Sequence, residues 1–298
     1  MPDLIQVTKI LESPSKQKKF DRCRLLGQMQ YIDKWEPRIA ERSLPARLRG
    51  TAFARGAELI HRALMEESLA LLDDTTFIFS VVDESVALFN RQFEYLVAQG
   101  IQFIPEVENI SRAELRRVIP LYAKFTPVRE WKKVTGVEKP IKTYSCRPDL
   151  TGINKDGFDV VGDIKYKTGL EARYVTSTVE EFHWDAQFLQ YNHAHRHDLG
   201  ASDSTPVYST LILVVGTSFK TWQVDWLYTP EQLALWYDSA VDMTRTIQDI
   251  TAGRALPRAA TTHRDNFGWC PMKKACFEYN LDPELMKLDY VQIDQMPE

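Results

Sequence analysis

"RPDLTGINKDGFDVVGDIKYKTG" (residues 147–169) reads as a β-hairpin whose second strand carries charge where a buried strand should carry little. The turn "NKDG" supplies Asn154, Asp156 and Gly157, residue types suited to a tight reversal. Strands over about 143–153 and 158–167 flank it. Side chains on a strand alternate between faces, so Asp163 and Lys165 point one way, with Lys167 one step further. Phe158, Val160, Ile164 and Tyr166 point the other way, and that apolar face puts the strand inside the fold. Folding back around the turn brings Asp149 within a residue or two of Asp163. Two carboxylates and an ammonium then converge on one face, a costly arrangement unless it holds something.

Hard oxygen ligands of this kind suit Mg²⁺ or Mn²⁺, with waters and substrate phosphate oxygens completing the shell. A metal so placed polarises a phosphodiester and lowers the pKa of a bound water. A neighbouring lysine orients or deprotonates that water, or stabilises charge growing on the phosphate. The chemistry expected is metal-assisted phosphodiester hydrolysis, with Asp149 and Asp163 on the metal and Lys165 acting on the water or the phosphate.

The elements around the hairpin are those of an α/β protein. Residues 1–95 read as helical, and "SLPARLRGTAFARGAELIHRALMEESLALL" (43–72) has Phe53, Leu59, Ile60, Leu64, Leu69 and Leu72 at helical spacings. Gly100 is a plausible helix stop. Across 101–142, Pro105, Pro120, Pro127 and Pro140 are expected to interrupt any long element. After the hairpin, "TSTVEEFHWDAQFLQYNHAHRHDLG" (176–200) reads as one helix, apolar on two sides and opened by Ser177 with Glu180 or Thr178 with Glu181 as a capping box. "VYSTLILVVG" (207–216) reads as a buried strand, and "FKTWQVDWL" (219–227) as a half-exposed one. Thr229, Pro230 and Gln232 open a last long helix with a stripe of Leu233, Trp236, Ala240, Met243, Ile247 and Ile250.

At this point the chain resembles the PD-(D/E)XK nuclease superfamily, and more narrowly its RecB-like, phage-type exonuclease branch. The hairpin matches the segment bearing that family's acids and lysine. "DAQFLQY" (185–191) matches its Q-x-x-x-Y motif, with Gln187 and Tyr191 one helical turn apart. The resemblance implies a restriction-endonuclease-like core, a central mixed β-sheet flanked by helices, and Gln187 and Tyr191 positioning DNA beside the active site. Family members also carry an upstream helix with a residue facing the metal. Here "RGAELIHRAL" offers His61, the first choice, and Glu58, three residues apart on one helical face. In some members one N-terminal and three C-terminal cysteines hold a [4Fe–4S] cluster, which takes four thiolates. Cys23, Cys270 and Cys276 stand at such positions, while Phe267 occupies the fourth. Loss of the cluster is expected; a non-cysteine ligand at the fourth position is the alternative.

The whole chain is expected to form one nuclease domain: a helical part over about 1–140, the catalytic sheet and helices over about 141–253, and a cysteine-containing segment over about 254–298. DNA is the expected partner, with a recombination or replication protein as a second. A net charge of −4 does not suggest a nucleic-acid binder overall, but "KQKKFDRCR" (16–24) and "REWKKVTGVEKPIK" (129–142) are basic. Lys132, Lys133 and Lys139 in the second run are expected to grip the backbone near the site. "HAHRHD" places only His193 and His197 on one helical face, which argues against a three-histidine site. There is no P-loop, Gly-rich dinucleotide fingerprint or Gly-x-Ser-x-Gly elbow. The four cysteines are too few and too scattered for a disulfide scaffold, and no apolar run is long enough to span a membrane. The N-terminus lacks a secretory leader's apolar core, so a cytoplasmic location is expected, the host's cytoplasm if the protein is phage-encoded. A site-specific endonuclease, or a binding module that keeps the fold without the chemistry, are the alternatives.

Overall fold

The computed structural model describes residues 11–297 except 40–42, 142, 143, 145, 171–173, 203, 258–263, 266, 267, 271, 294 and 295. The longer helices are α1 (Pro14–Arg22), α2 (Ser43–Met65), α3 (Thr75–Ala98), α4 (Val107–Phe125), α5 (Val175–His183), α6 (Ala186–Leu199) and α7 (Pro230–Thr251). The strands that matter are β1 (Trp35–Pro37), β2 (Lys133–Val137), β3 (Leu150–Ile153), β4 (Asp159–Lys167), β5 (Val207–Val215), β6 (Lys220–Leu227) and β7 (Tyr290–Gln292).

Strands β2 to β6 form one five-stranded sheet in chain order. All neighbours are antiparallel except β4 and β5, which run parallel. A parallel pair needs a crossover, and residues 168–206 provide it, with α5 and α6 inside. The result is an α/β fold with a mixed central sheet flanked by helices and a helical N-terminal region, as expected from the sequence.

Each sheet face is covered. Val160, Ile164, Ile212 and Val214 pack with α2, α3 and α4 in the largest apolar cluster. On the other face, Val161 packs with Tyr191, Ala194, Tyr237 and Ala240, while Leu211 and Leu213 pack with Phe188, Leu189 and Leu233. Strand β4 is therefore sandwiched, and its charged side chains enter a buried layer.

Several local expectations are corrected. The first hairpin strand starts at Leu150: Pro148 has no N–H for the ladder, an isolated bridge joins Ile141 to Cys146 before it, and residue 143, its expected start, lies outside the described residues. Helix α4 continues through Pro120. Proline in a helix costs about 3 kcal/mol. Leu115, Val118, Ile119, Tyr122 and Ala123 are all fully buried on this helix, and at about 1.5–3 kcal/mol per large apolar side chain their burial outweighs it. The 176–200 segment is two helices, not one. Asp185 accepts a hydrogen bond from the backbone N–H of Gln187 and caps α6, so the chain breaks at Trp184; neither proposed capping box opens the segment. The box at Thr229 and Gln232 does form at the start of α7.

The two ends of the described chain meet. β1 pairs antiparallel with β7, Trp35 opposite Gln292. Beneath this ribbon Leu26, Met29, Trp35, Met272, Ala275, Met286 and Tyr290 form a separate apolar cluster, with Cys23, Cys270 and Cys276 at its margin. Cys146 is buried elsewhere, beside Tyr144 and Tyr191. No helix among the described residues is long and apolar enough to cross a membrane.

Candidate active site

The hairpin register sets Leu150 opposite Gly162, so Asp149, just before β3, lies beside Asp163. The turn that fixes this register is tied by Asn154, whose side-chain oxygen accepts from the N–H groups of Asp156 and Phe158, and Gly157 takes the left-handed conformation at φ 94°. Asp149 Oδ2 accepts a 2.7 Å hydrogen bond from the backbone N–H of Ile164. Asp163 is 1% exposed. Lys165 Nζ lies 2.5 Å from Asp163 Oδ2. The sequence motif is thus a physical cluster.

Helix α6 reaches into it with its first turn. Gln187 Nε2 donates to Asp163 Oδ1 at 2.7 Å and to the Tyr191 hydroxyl at 2.8 Å, and Gln187 Oε1 accepts from Lys165 Nζ at 2.8 Å. The amide orientation follows from charge. Flipped, it would set a carbonyl against the carboxylate and an NH₂ group against the ammonium. Two residues four apart on α6 therefore read the charge pattern of β4.

The electrostatics are those of crowded acids. Burial, then the Asp149 charge, pushes Asp163 up to about 7, against the pull of Lys165. Burial likewise pushes Asp149 up to about 7, with Glu138 adding to it and Lys165 opposing. Burial disfavours the Lys165 ammonium, but Asp163 and Asp149 outweigh it and hold the group above its ordinary pKa. Burial and the nearby Asp163 raise the Tyr191 phenol.

These features fit a divalent ion. Two buried carboxylates that repel one another form a hard-oxygen pair of the kind Mg²⁺ uses alongside waters and phosphate. Among the described residues, no three His, Cys, Asp or Glu side chains gather tightly enough to hold a metal by themselves. Asp149 and Asp163 would be the side chains to hold one.

Several candidates fall elsewhere. His61 is fully buried between α2 and α4, its Nε2 2.9 Å from the Tyr122 hydroxyl and its Nδ1 without a partner. Burial pulls its pKa down to about 3. It is a core residue, not a third ligand: on a helix packed into a bundle, that face meets α4. Glu58 is clamped by Arg55 and Arg62 at 2.8 Å each, and its charge is felt at Glu138 rather than at the aspartates. Lys132 and Lys133 lie at the turn end of the hairpin, since Lys133 pairs with Ile153, the far end from Asp149. Lys139 is near the site's edge but is ion-paired with Asp198 at 3.3 Å. Cys23, Cys270 and Cys276 bring three thiols to one margin, short of the four a cluster takes, and Phe267 lies outside the described residues.

Two acids were not anticipated. Glu138 follows β2, which carries a bulge between Val134 and Gly136, and takes left-handed backbone at φ 49°. Its N–H donates to the Asp149 carbonyl at 3.1 Å, and its carboxyl is ion-paired with Arg147 at 2.6 Å. Asp185 caps α6 and is ion-paired with Lys18 at 2.5 Å; its charge is felt at both Asp163 and Lys165. The dipeptide Asp185-Ala186 just before Gln187 is a helix-start signal that could have revealed it.

No protein-family model matches the chain, and no curated protein is significantly similar to it. Among solved structures, the chain is similar to a crystal structure described as "Putative exonuclease" from Eubacterium rectale. The match covers 98% of this chain and 92% of that one, with a TM-score of 0.50 and 12% identity. At that identity the likeness is one of fold.

Proposed function

We propose that the protein is a metal-dependent deoxyribonuclease of the PD-(D/E)XK type that acts as an exonuclease on DNA ends. The observation that carries the reading is the Gln187 carboxamide bridging Lys165 and Asp163 with Asp149 alongside, because the acids and lysine of the hairpin and the Q-x-x-x-Y pair then belong to one cluster. The likeness in fold to a chain described as a "Putative exonuclease" supports the same direction.

Asp149 and Asp163 would hold Mg²⁺ or Mn²⁺, which would supply Lewis-acid polarisation of the phosphate and a water acidified for attack. Lys165, kept as an ammonium between acids, offers its positive charge to a phosphate oxygen in the pentavalent transition state. Gln187 fixes the directions of Lys165 and Asp163, so neither has to reorganise during the reaction. Tyr191 holds the Gln187 amide in turn. DNA ends, and recombination, repair or phage DNA metabolism as the setting, rest on the RecB-like resemblance.

The test compares linear with covalently closed circular DNA, with Mg²⁺ and then with EDTA. Metal-dependent loss of the linear form alone is the expected result. Cutting of circles would make the protein an endonuclease of the same fold, and intact DNA throughout would make it a binding module.

A further inference from the structure

The two edges of the five-stranded sheet are built differently. β2 is five residues long, carries a bulge and starts at the exposed Lys133, features that keep an edge from pairing with another strand. β6 runs eight residues in unbroken register with β5, without proline or bulge, and its charges are confined to Lys220 and Asp225. Trp222, Val224 and Trp226 share one face and are only half-buried. The 125–131 segment meets β6 on the opposite face, where Thr221 donates to the Phe125 carbonyl and Trp131 to Gln223. Among the described residues no strand other than β5 pairs with β6.

Hydrogen-bond parity decides which backbone groups are left over. The Phe219 N–H donates to the Gly216 carbonyl at 3.1 Å, so the facing residues Val215 and Lys220 are a non-hydrogen-bonded pair. Alternating from there, Thr221, Gln223, Asp225 and Leu227 spend their N–H and C=O groups on β5, while Trp222, Val224 and Trp226 turn theirs outward. No turn, loop or cap among the described residues takes up these outward groups. On a flat edge such groups are a template for another strand.

β6 itself is the strand that fits. With a two-fold axis through Val224, perpendicular to the sheet, Val224 meets Val224 and Trp222 meets Trp226, each outward residue facing an outward residue. On the other face Gln223 meets Asp225, an amide donor against a carboxylate, and Thr221 meets Leu227. No like charges stand opposite one another. A slip of one residue would set the tryptophans on the wrong face and break the hydrogen-bond parity.

We infer that β6 pairs antiparallel with β6 of a second copy of this chain, joining the two five-stranded sheets into one. The inference stands whether or not the protein cuts DNA. Asp163, Leu211 and Val224 lie in one row across β4, β5 and β6. The axis would therefore set both candidate active sites on the same face of the joined sheet, about 24 Å apart at about 4.8 Å per strand spacing.

Sedimentation equilibrium of the full chain should give twice the 34.5 kDa chain mass. Val224→Pro removes only an outward N–H, which an edge strand tolerates, so this variant should fold and sediment at the chain mass. Circular-dichroism melts report its folding. Oxidised with copper–phenanthroline, Val224→Cys should cross-link to its own copy, because facing Cα atoms of a hydrogen-bonded pair are about 5.5 Å apart, within disulfide reach. Leu227→Cys, far from its own copy in this register, should not cross-link. Non-reducing gels read both against the wild type, whose native cysteines set the background. A wild type that stays at the chain mass at every concentration overturns the inference. So does a folded Val224→Pro that stays dimeric, or Leu227→Cys cross-linking where Val224→Cys does not. Should Val224→Pro fail to fold, the two cysteine variants decide.

Discussion

Gln187 donates to the Tyr191 hydroxyl from the same nitrogen that holds Asp163, a 2.8 Å bond across one turn of α6. Tyr191 thus acts on the candidate active site through another side chain. Partners of this kind typically change activity by about 10–100-fold. Gln187→Ala should fall in that range, and Tyr191→Phe should cost less because the Asp163 bond remains. Cleavage rates under metal saturation would check both, and unchanged rates would remove Gln187 from the site.

Asp149→Asn should abolish cleavage yet stabilise the fold. The aspartates are raised towards 7, so above that pH the native state carries two repelling charges that the unfolded chain does not feel. The substituted carboxamide keeps an oxygen for the Ile164 N–H and removes the repulsion, while Asp163 and Lys165 stay paired. The melting midpoint in EDTA should rise by about 2–4 °C above pH 7, for about 1 kcal/mol of relief. The gain should shrink as pH falls from 7 towards 3.8, where the wild-type carboxyls are themselves neutral. A lower midpoint for the variant at high pH would contradict this account.

Mg²⁺ should stabilise the folded protein without any substrate. Binding at a hundredfold excess over Kd adds about 2.7 kcal/mol. Thermal melts with and without MgCl₂ should show an upward shift in the wild type and none in Asp163→Asn or Asp149→Asn. An equal shift in all three would place the ion elsewhere.

His61 should govern acid stability instead of catalysis. Its folded pKa of about 3 lies below the ordinary 6.5, so the unfolded chain binds the extra proton between those values. Stability from keeping it neutral is present above pH 6.5 and lost as pH falls towards 3, on the order of 3 kcal/mol by pH 4. His61→Leu should flatten that acid limb in denaturant titrations while cleavage persists. Loss of cleavage in a folded variant would return His61 to the site.

Purified protein should contain iron far below stoichiometric amounts and show no visible charge-transfer band. Stoichiometric iron would mean that a non-cysteine ligand completes the set of Cys23, Cys270 and Cys276.

What could be read directly from the chain was local. Strand alternation and one turn fix Asp149, Asp163 and Lys165 relative to each other, and one helical turn fixes Gln187 to Tyr191. Glu138 was hidden because it reaches Asp149 across a third strand whose bulge shifts the register, and neither pairing nor bulge has a local signature there. His61 was misplaced because helical periodicity tells which residues share a face but not which neighbour that face meets. Pro120 misled because packing on both sides of it overrides its propensity. Trp184 was swallowed into a continuous helix because its apolar neighbours keep the 3.6-residue rhythm across the break.

The pairing of Trp35 with Gln292 also has a kinetic side. The partner of β1 is made only after the whole central sheet, so on the ribosome Leu26, Met29 and Trp35 must wait, uncovered, until that sheet and α7 have emerged. Closing so long a loop is slow. That interval, before Tyr290 docks, is when nascent protein is most open to chaperones and to aggregation.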